Sequence, residues 1–206
     1  MATHRARASN ASRFDRAYYP RFYFNTRTAV VSASEVRARG TLIAAFVEHV
    51  GLPVRRILDA GCGTGRLKSV LLRRLRRARY TGLELSEYLC RRYGWEHGTI
   101  EEFRSTTAFD LVVCYDVLQY LDGRAADRAL ANLTRLTRGV LYFGALTRED
   151  WLTNCDQRRT DPDVHQRSGA WYRRRLRRGF HEIGAGFWMR RGAPLAIWEL
   201  ERAGRR

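Results

Sequence analysis

The apolar residues of this 206-residue chain gather into short runs that alternate with amphipathic stretches. Near-continuous apolar runs are typical of strands that are buried on both faces, and they predict strands over residues 55–59, 109–116 and 139–145. A further strand is predicted over residues 80–84. Because these strands alternate with helical patterns, the pattern favours an α/β fold with a doubly wound, mainly parallel sheet.

Helices are predicted wherever apolar residues recur every three or four positions. Such stripes indicate helices over residues 66–76, 86–92 and 122–136, and an earlier helix that begins at Ser34 and ends near residues 51–53. Towards the C-terminus, residues 171–179 are predicted to be helical. Two alternating runs, 181–190 and 193–201, predict an antiparallel hairpin whose turn lies at Arg191 and Gly192.

A turn rich in glycine follows the first predicted strand. Gly61, Gly63 and Gly65 form a G-x-G-x-G pattern ahead of a helix, and such a turn allows a ligand to approach the backbone closely. The dinucleotide fingerprint needs a glycine where Arg66 stands, so a nicotinamide or flavin site is disfavoured. Asp59 ends the strand before the turn, and Glu84 ends the next strand, where a carboxylate can accept hydrogen bonds from two hydroxyls.

In these segments the chain resembles the class I S-adenosylmethionine-dependent methyltransferases: ILDAGCGTG is similar to their first motif, and GLELS to their second strand. The resemblance implies S-adenosyl-L-methionine as cofactor, with the glycine turn against its methionine part and Glu84 on its ribose hydroxyls. A third strand is expected within residues 95–101, where Thr99 stands in place of a frequent Asp and either Thr99 or Glu101 could reach the adenine amine. The implied cofactor-binding residues are Asp59, Gly61, Cys62, Gly63, Gly65, Glu84, Leu85, Thr99, Ile100 and Tyr115.

Some residues are expected to bind the substrate that accepts the methyl group. Topology indicates where they lie, because ligands of open α/β sheets bind at the carboxyl ends of the strands. The expected substrate residues are Tyr19, Gln119, Tyr120 and Trp151. Methyl transfer depends mainly on positioning. If a base is used, His165 or Asp116 is the candidate, with Tyr23 and Tyr120 as orienting phenols.

Two segments outside the repeating pattern each allow two interpretations. The aromatic residues of segment 14–24 could fold over the cofactor as a lid or cap the sheet edge as core. The polar segment 150–165 has no hydrophobic periodicity, and it could recognise the substrate or be a solvated connection. The expected organisation is a single domain, with residues 1–54 as an N-terminal lid or helical segment, 55–206 as the cofactor-binding core and 147–170 as a substrate-recognition insert.

The formal net charge of +17 raises the question of a polyanionic partner. Lys68 is the only lysine, as expected if a coding bias replaced lysine by arginine, and the basic residues are spread over several segments. The leading hypothesis is therefore a methyltransferase that acts on a small molecule. The alternatives are an RNA-modifying enzyme that grips phosphate with residues 173–178, and a non-catalytic relative that binds the cofactor.

Cysteine, histidine and apolar patterns limit the remaining possibilities. The four cysteines form no C-x-x-C pair and the five histidines show no ligand spacing, so no protein-bound metal is expected. The absence of a membrane-length apolar run and of a signal peptide predicts a cytoplasmic protein without a membrane partner. The acceptor atom and the oligomeric state do not follow from the sequence.

Overall fold

The computed structural model describes Phe14, Tyr19 and residues 31–201. Within this part of the chain, seven strands form one sheet: β1 (Arg56–Ala60), β2 (Arg79–Glu84), β3 (Glu96–His97), β4 (Phe109–Tyr115), β5 (Thr137–Gly144), β6 (Phe180–Gly184) and β7 (Phe187–Arg190). Their order is β3-β2-β1-β4-β5-β7-β6. Strands β1 to β5 are parallel, whereas β7 is antiparallel to both β5 and β6. The predicted α/β fold with a mainly parallel sheet and an antiparallel C-terminal hairpin is confirmed.

Helices cover both faces of the sheet. They are α1 (Ala33–His49), α2 (Arg66–Arg74), α3 (Glu87–Tyr93), α4 (Gly123–Leu136), α5 (Arg148–Thr153) and α6 (Gly169–Leu176), with 3-10 turns at Leu118–Tyr120 and Glu199–Glu201. Helices α1 and α2 pack on Leu111 and Val113 of β4, and α4 and α6 pack on the face that carries Val112. This two-sided burial explains why β4 is apolar at consecutive positions. None of the helices in the described residues is both long and apolar enough to cross a bilayer.

The structure corrects the predicted position of the hairpin. The chain reverses at Gly184, Ala185 and Gly186, which all have positive φ (118°, 48° and 87°), and not at Arg191 and Gly192. Residues beyond β7 form no strand up to residue 201, where the description ends. The glycines had been assigned to a strand interior, but a backbone with three consecutive positive φ angles is a turn.

The expected third strand lies within residues 95–101 but is only two residues long, Glu96–His97, and the chain then turns at Gly98, which lines the first cavity described below. One smaller prediction is corrected. Helix α1 begins after Ser32 rather than at Ser34. The Ser32 hydroxyl accepts a hydrogen bond from the Glu35 amide while the Glu35 carboxylate accepts one from the Ser32 amide, which is a complete capping box.

A buried carboxylate joins the starts of three neighbouring strands. Asp110 is 4% exposed, and its Oδ2 accepts hydrogen bonds from the amides of Arg55 and Arg56 at 2.8 and 2.9 Å. Its Oδ1 accepts one from Arg138 Nε at 2.6 Å. Burial alone would raise the pKa of Asp110, but the bonds from Arg138 and the two amides outweigh it and lower the pKa. The ionised carboxylate therefore stabilises the sheet.

The glycine turn after β1 is supported from below by Trp95, whose indole Nε1 donates to the Gly63 carbonyl at 3.0 Å. A Cβ on Gly65 would lie 2.4 Å from Trp95 Cζ2, and a Cβ on Gly82 would lie 2.7 Å from Trp95 Cε3. The ring thus fits only because both neighbours lack a side chain. Gly65 also has φ +71°, which favours glycine on its own account.

Replacing Asp110 by Asn should destabilise the fold in a pH-dependent way. At pH 7 we expect a loss of about 1–3 kcal/mol, because the bond to Arg138 is lost while its partner stays in place. Since the folded pKa lies below the unfolded value, this stability is present above about pH 4 and disappears as the pH falls through the folded pKa. Urea unfolding between pH 2 and 8 measures the difference. Glu87→Gln, which removes an exposed ion pair with Arg91, is the control and should have a far smaller effect.

Gly65→Ala should destabilise the fold more than Gly94→Ala does. Both residues have φ +71°, so both substitutions carry the same backbone strain, but a Cβ at Gly94 meets no atom within 4 Å. The difference, about 1–3 kcal/mol in the free energy of unfolding, reports the collision with Trp95. Equal losses in urea unfolding would show that Trp95 does not constrain the turn.

Candidate active site

Two cavities lie at the carboxyl ends of the parallel strands and share four residues. The first cavity is bounded on one side by Glu84 and Thr99, and the second by Asp59 and Gln119. Both are lined by Gly61, Gly63, Asp116 and Tyr120. The glycine turn and the end of β4 therefore form a wall shared by the two cavities, and ligands in the two cavities would both contact it.

Glu84 closes the base of the first cavity and holds the glycine turn. It is 7% exposed, and its Oε2 accepts a hydrogen bond from the Gly63 amide at 2.8 Å. Its Oε1 accepts bonds from the amides of Leu85 and Ser86 at 2.9 and 3.0 Å. Burial raises the pKa of Glu84 despite these three donors. The carboxylate that was predicted to bind ribose thus also fixes the turn beside it.

The far end of the first cavity offers hydrogen-bond acceptors without protein donors. Among the described residues, nothing bonds to the buried Thr99 Oγ1 or Glu101 Oε2, and both residues line this cavity together with the apolar Ile100. A flat group with an amino substituent would satisfy both oxygens while packing on Ile100. This arrangement suits an adenine ring.

Phe14 and Tyr19 cover the first cavity. Tyr19 is 3% exposed and lines it, and the Phe14 ring meets Tyr120 edge to face with centroids 5.3 Å apart. The Phe14 carbonyl accepts a hydrogen bond from Ser86 Oγ at 2.6 Å. Both residues belong to the segment predicted to be either a lid or part of the core at the sheet edge, and the lid stays a prediction.

Asp59 is a buried acid on the wall of the second cavity. It is 4% exposed, and the Tyr80 hydroxyl donates to its Oδ2 at 2.5 Å. Burial raises its pKa to about 6, the Tyr80 bond opposes this rise, and the nearby Glu84 adds to it. Cys62, beside it on the same cavity, has a raised pKa, chiefly from burial, so its thiol is not activated as a nucleophile.

Asp116 lies at the boundary of the two cavities in a strained backbone conformation. Its φ of 58° is unusual for a residue other than glycine and directs the chain out of β4 into the 3-10 turn. Burial raises its pKa to about 6, while the Arg39 guanidinium and the hydrogen bond from Gln119 oppose the rise. An acid with this pKa is largely ionised at neutral pH and can still accept a proton.

Arg39 and Tyr115 form the opposite wall of the second cavity. The Arg39 guanidinium carbon lies 3.6 Å from the centre of the Tyr115 ring, which stacks on Tyr142 at 5.8 Å. Burial raises the pKa of Tyr115 to about 12, so its phenol stays neutral. Tyr115 was predicted to bind the cofactor, and the structure places it in the second cavity only.

The predicted recognition insert supplies part of the second cavity. Cys155, Thr160, Asp161 and Val164 line it. The backbone amide of His165 donates to the Gln119 carbonyl at 2.7 Å and so fastens the insert to the 3-10 turn. Segment 150–165 begins within helix α5 and is otherwise irregular, as its lack of periodicity predicted.

The structure does not bring every predicted residue to the cavities. The His165 side chain is exposed, and neither His165 nor Trp151 lines either cavity. Gly65 lines neither cavity, and a Cβ on it would meet the Trp95 ring. Tyr23 lies outside the described residues. Of the two candidate bases, only Asp116 lines the cavities.

Two residues of the site were missed from the sequence. Trp95 was included only in the segment expected to hold the third strand, and its contact with Gly65 and Gly82 explains its role. Arg39 carried a usable signal, since a cation at this position stands between Val36 and Ile43 on the buried face of α1. Such a charge is retained on an apolar stripe when it has a partner.

Three of the arginines in the segment 173–178 form ion pairs within the chain. Arg173 and Arg177 both pair with Glu182, at 2.9 and 2.7 Å. Arg175 pairs with Asp127 and stacks over the Trp171 ring at 3.5 Å. The hypothesis that this segment grips RNA phosphate stays a prediction, and these contacts engage part of its charge.

A family model described as a methyltransferase domain matches residues 58–139, which contain the glycine turn, Glu84 and β4. The chain is also 29% identical over 114 residues to a ubiquinone biosynthesis O-methyltransferase of Hahella chejuensis. The match covers 49% of this chain and 47% of that protein. The chain thus spans about half the length of the curated relatives it matches.

Solved structures share the fold over most of the chain. Magnesium protoporphyrin IX methyltransferase from Synechocystis with bound S-adenosylmethionine has a TM-score of 0.59 at 17% identity, covering 90% of this chain and 94% of that one. Streptomyces venezuelae DesVI has a TM-score of 0.57 at 18% identity, covering 75% and 91%. The likeness to these structures shows a shared fold, and the match to the methyltransferase-domain model covers the part of the chain that contains the glycine turn tied to Glu84.

Proposed function

We propose that this chain binds S-adenosyl-L-methionine across the first cavity and transfers its methyl group to a small-molecule acceptor held in the second. The observation that carries the proposal is the wall shared by the two cavities, formed by Gly61, Gly63, Asp116 and Tyr120. Because both cavities reach these four residues, a methyl donor in one cavity and a methyl acceptor in the other would lie next to each other, as a displacement reaction requires.

The residues of the first cavity fit the nucleoside part of this cofactor. Thr99 and Glu101 hold unpartnered oxygens that suit the adenine amine, and Ile100 offers an apolar surface to the ring. Glu84 has three of its roughly four acceptor positions occupied by amides, so it can take one further ribose hydroxyl without rearrangement. Binding both hydroxyls would require one of these bonds to be shared.

When bound, the cofactor supplies a methyl group on a positively charged sulfur. The chain's own residues exclude water, orient the acceptor and, where the acceptor atom carries a proton, remove it. Asp116 is the proposed base, because it lies on both cavities and its pKa of about 6 leaves it ionised at neutral pH. Tyr120, on the same wall, is the proposed orienting phenol.

Several observations support a small acceptor rather than a polymer. The insert residues Thr160 and Val164 line the second cavity together with the apolar Leu67 and Leu146. The matched relative is named for ubiquinone biosynthesis, and the fold neighbour is named for magnesium protoporphyrin IX, which are both small molecules. The identity of the acceptor is not carried over from either.

Gly63→Ala should weaken cofactor binding without unusual damage to the fold. Gly63 has φ +53°, and a Cβ built on it meets no atom within 4 Å and so enters the cavity space. We expect calorimetric titration with S-adenosylmethionine to give saturable one-site binding for the wild type and an affinity at least about 10-fold weaker for Gly63→Ala. Gly94→Ala is the matched control: it should lose similar stability in urea and keep wild-type affinity. Absence of saturable heat with the wild type would refute the proposed cofactor.

The stability of Asp116→Asn relative to the wild type should change with pH in a defined window. An aspartate with a raised folded pKa binds its proton more tightly in the folded state, so the wild type loses stability as the pH rises from about 4 to about 6. The asparagine variant is spared this loss and should gain relative stability across that interval, with no further change above it.

Urea unfolding without cofactor between pH 3 and 8 measures this window. Asp122→Asn provides a control of opposite sign, because the hydrogen bond from the Ala125 amide helps to lower the pKa of Asp122. A stability difference for Asp116→Asn that stays constant with pH would contradict the assignment of a buried base.

A further inference from the structure

The side chain of Gln119 leaves an acceptor unused inside the second cavity. Gln119 is 3% exposed and lines the cavity, and its Nε2 donates to Asp116 Oδ1 at 3.4 Å. Among the residues that the structure describes, no group donates to Gln119 Oε1, although this atom is buried. The opposite orientation of the amide would set its oxygen against the carboxylate of Asp116, so the observed orientation is the favourable one.

A buried hydrogen-bond acceptor without a donor is costly and uncommon. None of the described residues around Gln119 donates a hydrogen bond to its Oε1. Arg39 also lines this cavity, and its guanidinium lies over the Tyr115 ring. The His165 amide is already bonded to the Gln119 backbone carbonyl. A donor for Oε1 must therefore come from whatever enters the cavity.

Because the amide of Gln119 touches the carboxylate of Asp116, the two residues present acceptors side by side. We propose that Gln119 determines acceptor specificity by accepting a hydrogen bond from a second O–H or N–H group, carried on the atom next to the one that is methylated. The acceptor is then a vicinal diol or a vicinal amino alcohol. This inference rests on the proposed function.

In the transfer, the acceptor atom forms its bond to the methyl carbon while the carbon–sulfur bond breaks and leaves its electron pair on sulfur. The proton of the acceptor atom goes to Asp116. Gln119 holds the neighbouring donor throughout and exchanges no proton, so it is a specificity-determining residue and not the base. Removing its amide should act on acceptor choice and not on cofactor affinity.

The test uses matched pairs of probe acceptors that differ only in the second donor. Catechol is compared with phenol, 2-aminophenol with aniline, and trans-2-aminocyclohexanol with cyclohexylamine, at saturating S-adenosylmethionine with S-adenosylhomocysteine release as readout. For the wild type we expect kcat/KM to favour the paired-donor member of the accepted pair by about 10-fold to 100-fold, as for a site whose polar group is left unpaired by the wrong substrate.

Gln119→Met keeps the length of the side chain and removes the amide. We expect this preference to fall to within about 3-fold of unity, through slower turnover of the paired-donor probe, while calorimetric affinity for S-adenosylmethionine is unchanged. Glu87→Met, at an exposed residue of α3 that lies outside the insert and lines neither cavity, is the control and should keep the wild-type preference.

Three results would overturn the inference. The wild type could show equal rates for paired and single donors, Gln119→Met could retain the full preference, or the wild type could bind S-adenosylmethionine and methylate none of the paired-donor probes. Failure of the proposed function is a different result, since the wild type would then give no saturable binding of S-adenosylmethionine.

Discussion

A hydrogen bond between the Gly63 amide and the Glu84 carboxylate connects the two sequence motifs on which the site depends. Strands β1 and β2 are neighbours in the sheet, so the turn that ends one and the acid that ends the other meet at the same edge. A carboxylate that is bonded to backbone amides is fixed in direction, and the turn that supplies one of those amides is fixed with it. The cofactor cradle is therefore organised by the protein itself, before any ligand contributes binding energy.

Three acids that line the two cavities each have a raised pKa. Asp59 and Asp116 both have their pKa raised to about 6, principally by burial, and burial also raises the pKa of Glu84. Buried carboxylates of this kind gain from a nearby positive charge, and a sulfonium provides one. By linkage, a cationic ligand that favours ionisation of these acids is itself bound more tightly when they are ionised. The same burial that costs stability thus favours a charged methyl donor.

Much of the fold followed from sequence because its causes are local and periodic. Continuous apolar runs identify strands covered on both faces, and the position of Asp116 at a strand's end predicted its place at the site. The support of the glycine turn failed because it depends on distant segments: Trp95 packs there only because Gly65 and Gly82 leave it room, which no spacing in a single sequence displays. The hairpin turn failed for a local reason, because Gly184, Ala185 and Gly186 take positive φ within a run that had been assigned to a strand.

The recognition insert also stabilises the turn that carries the candidate specificity residue. Arg167 donates from Nη1 to the Leu118 carbonyl at 3.1 Å and from Nη2 to the Leu121 carbonyl, and the His165 amide bonds the Gln119 carbonyl between them. A 3-10 turn has orphan carbonyls at its end, and here one segment donates to two of them, those of Gln119 and Leu121, and also to the Leu118 carbonyl, which already accepts a bond from the Leu121 amide. The insert therefore holds in place the 3-10 turn that contributes Gln119 to the second cavity. A change in the preferred methyl acceptor can thus arise from residues that never touch the acceptor. The positive charge of Arg167 serves this structural purpose, which is one reason that the net charge of the chain says little about its partner.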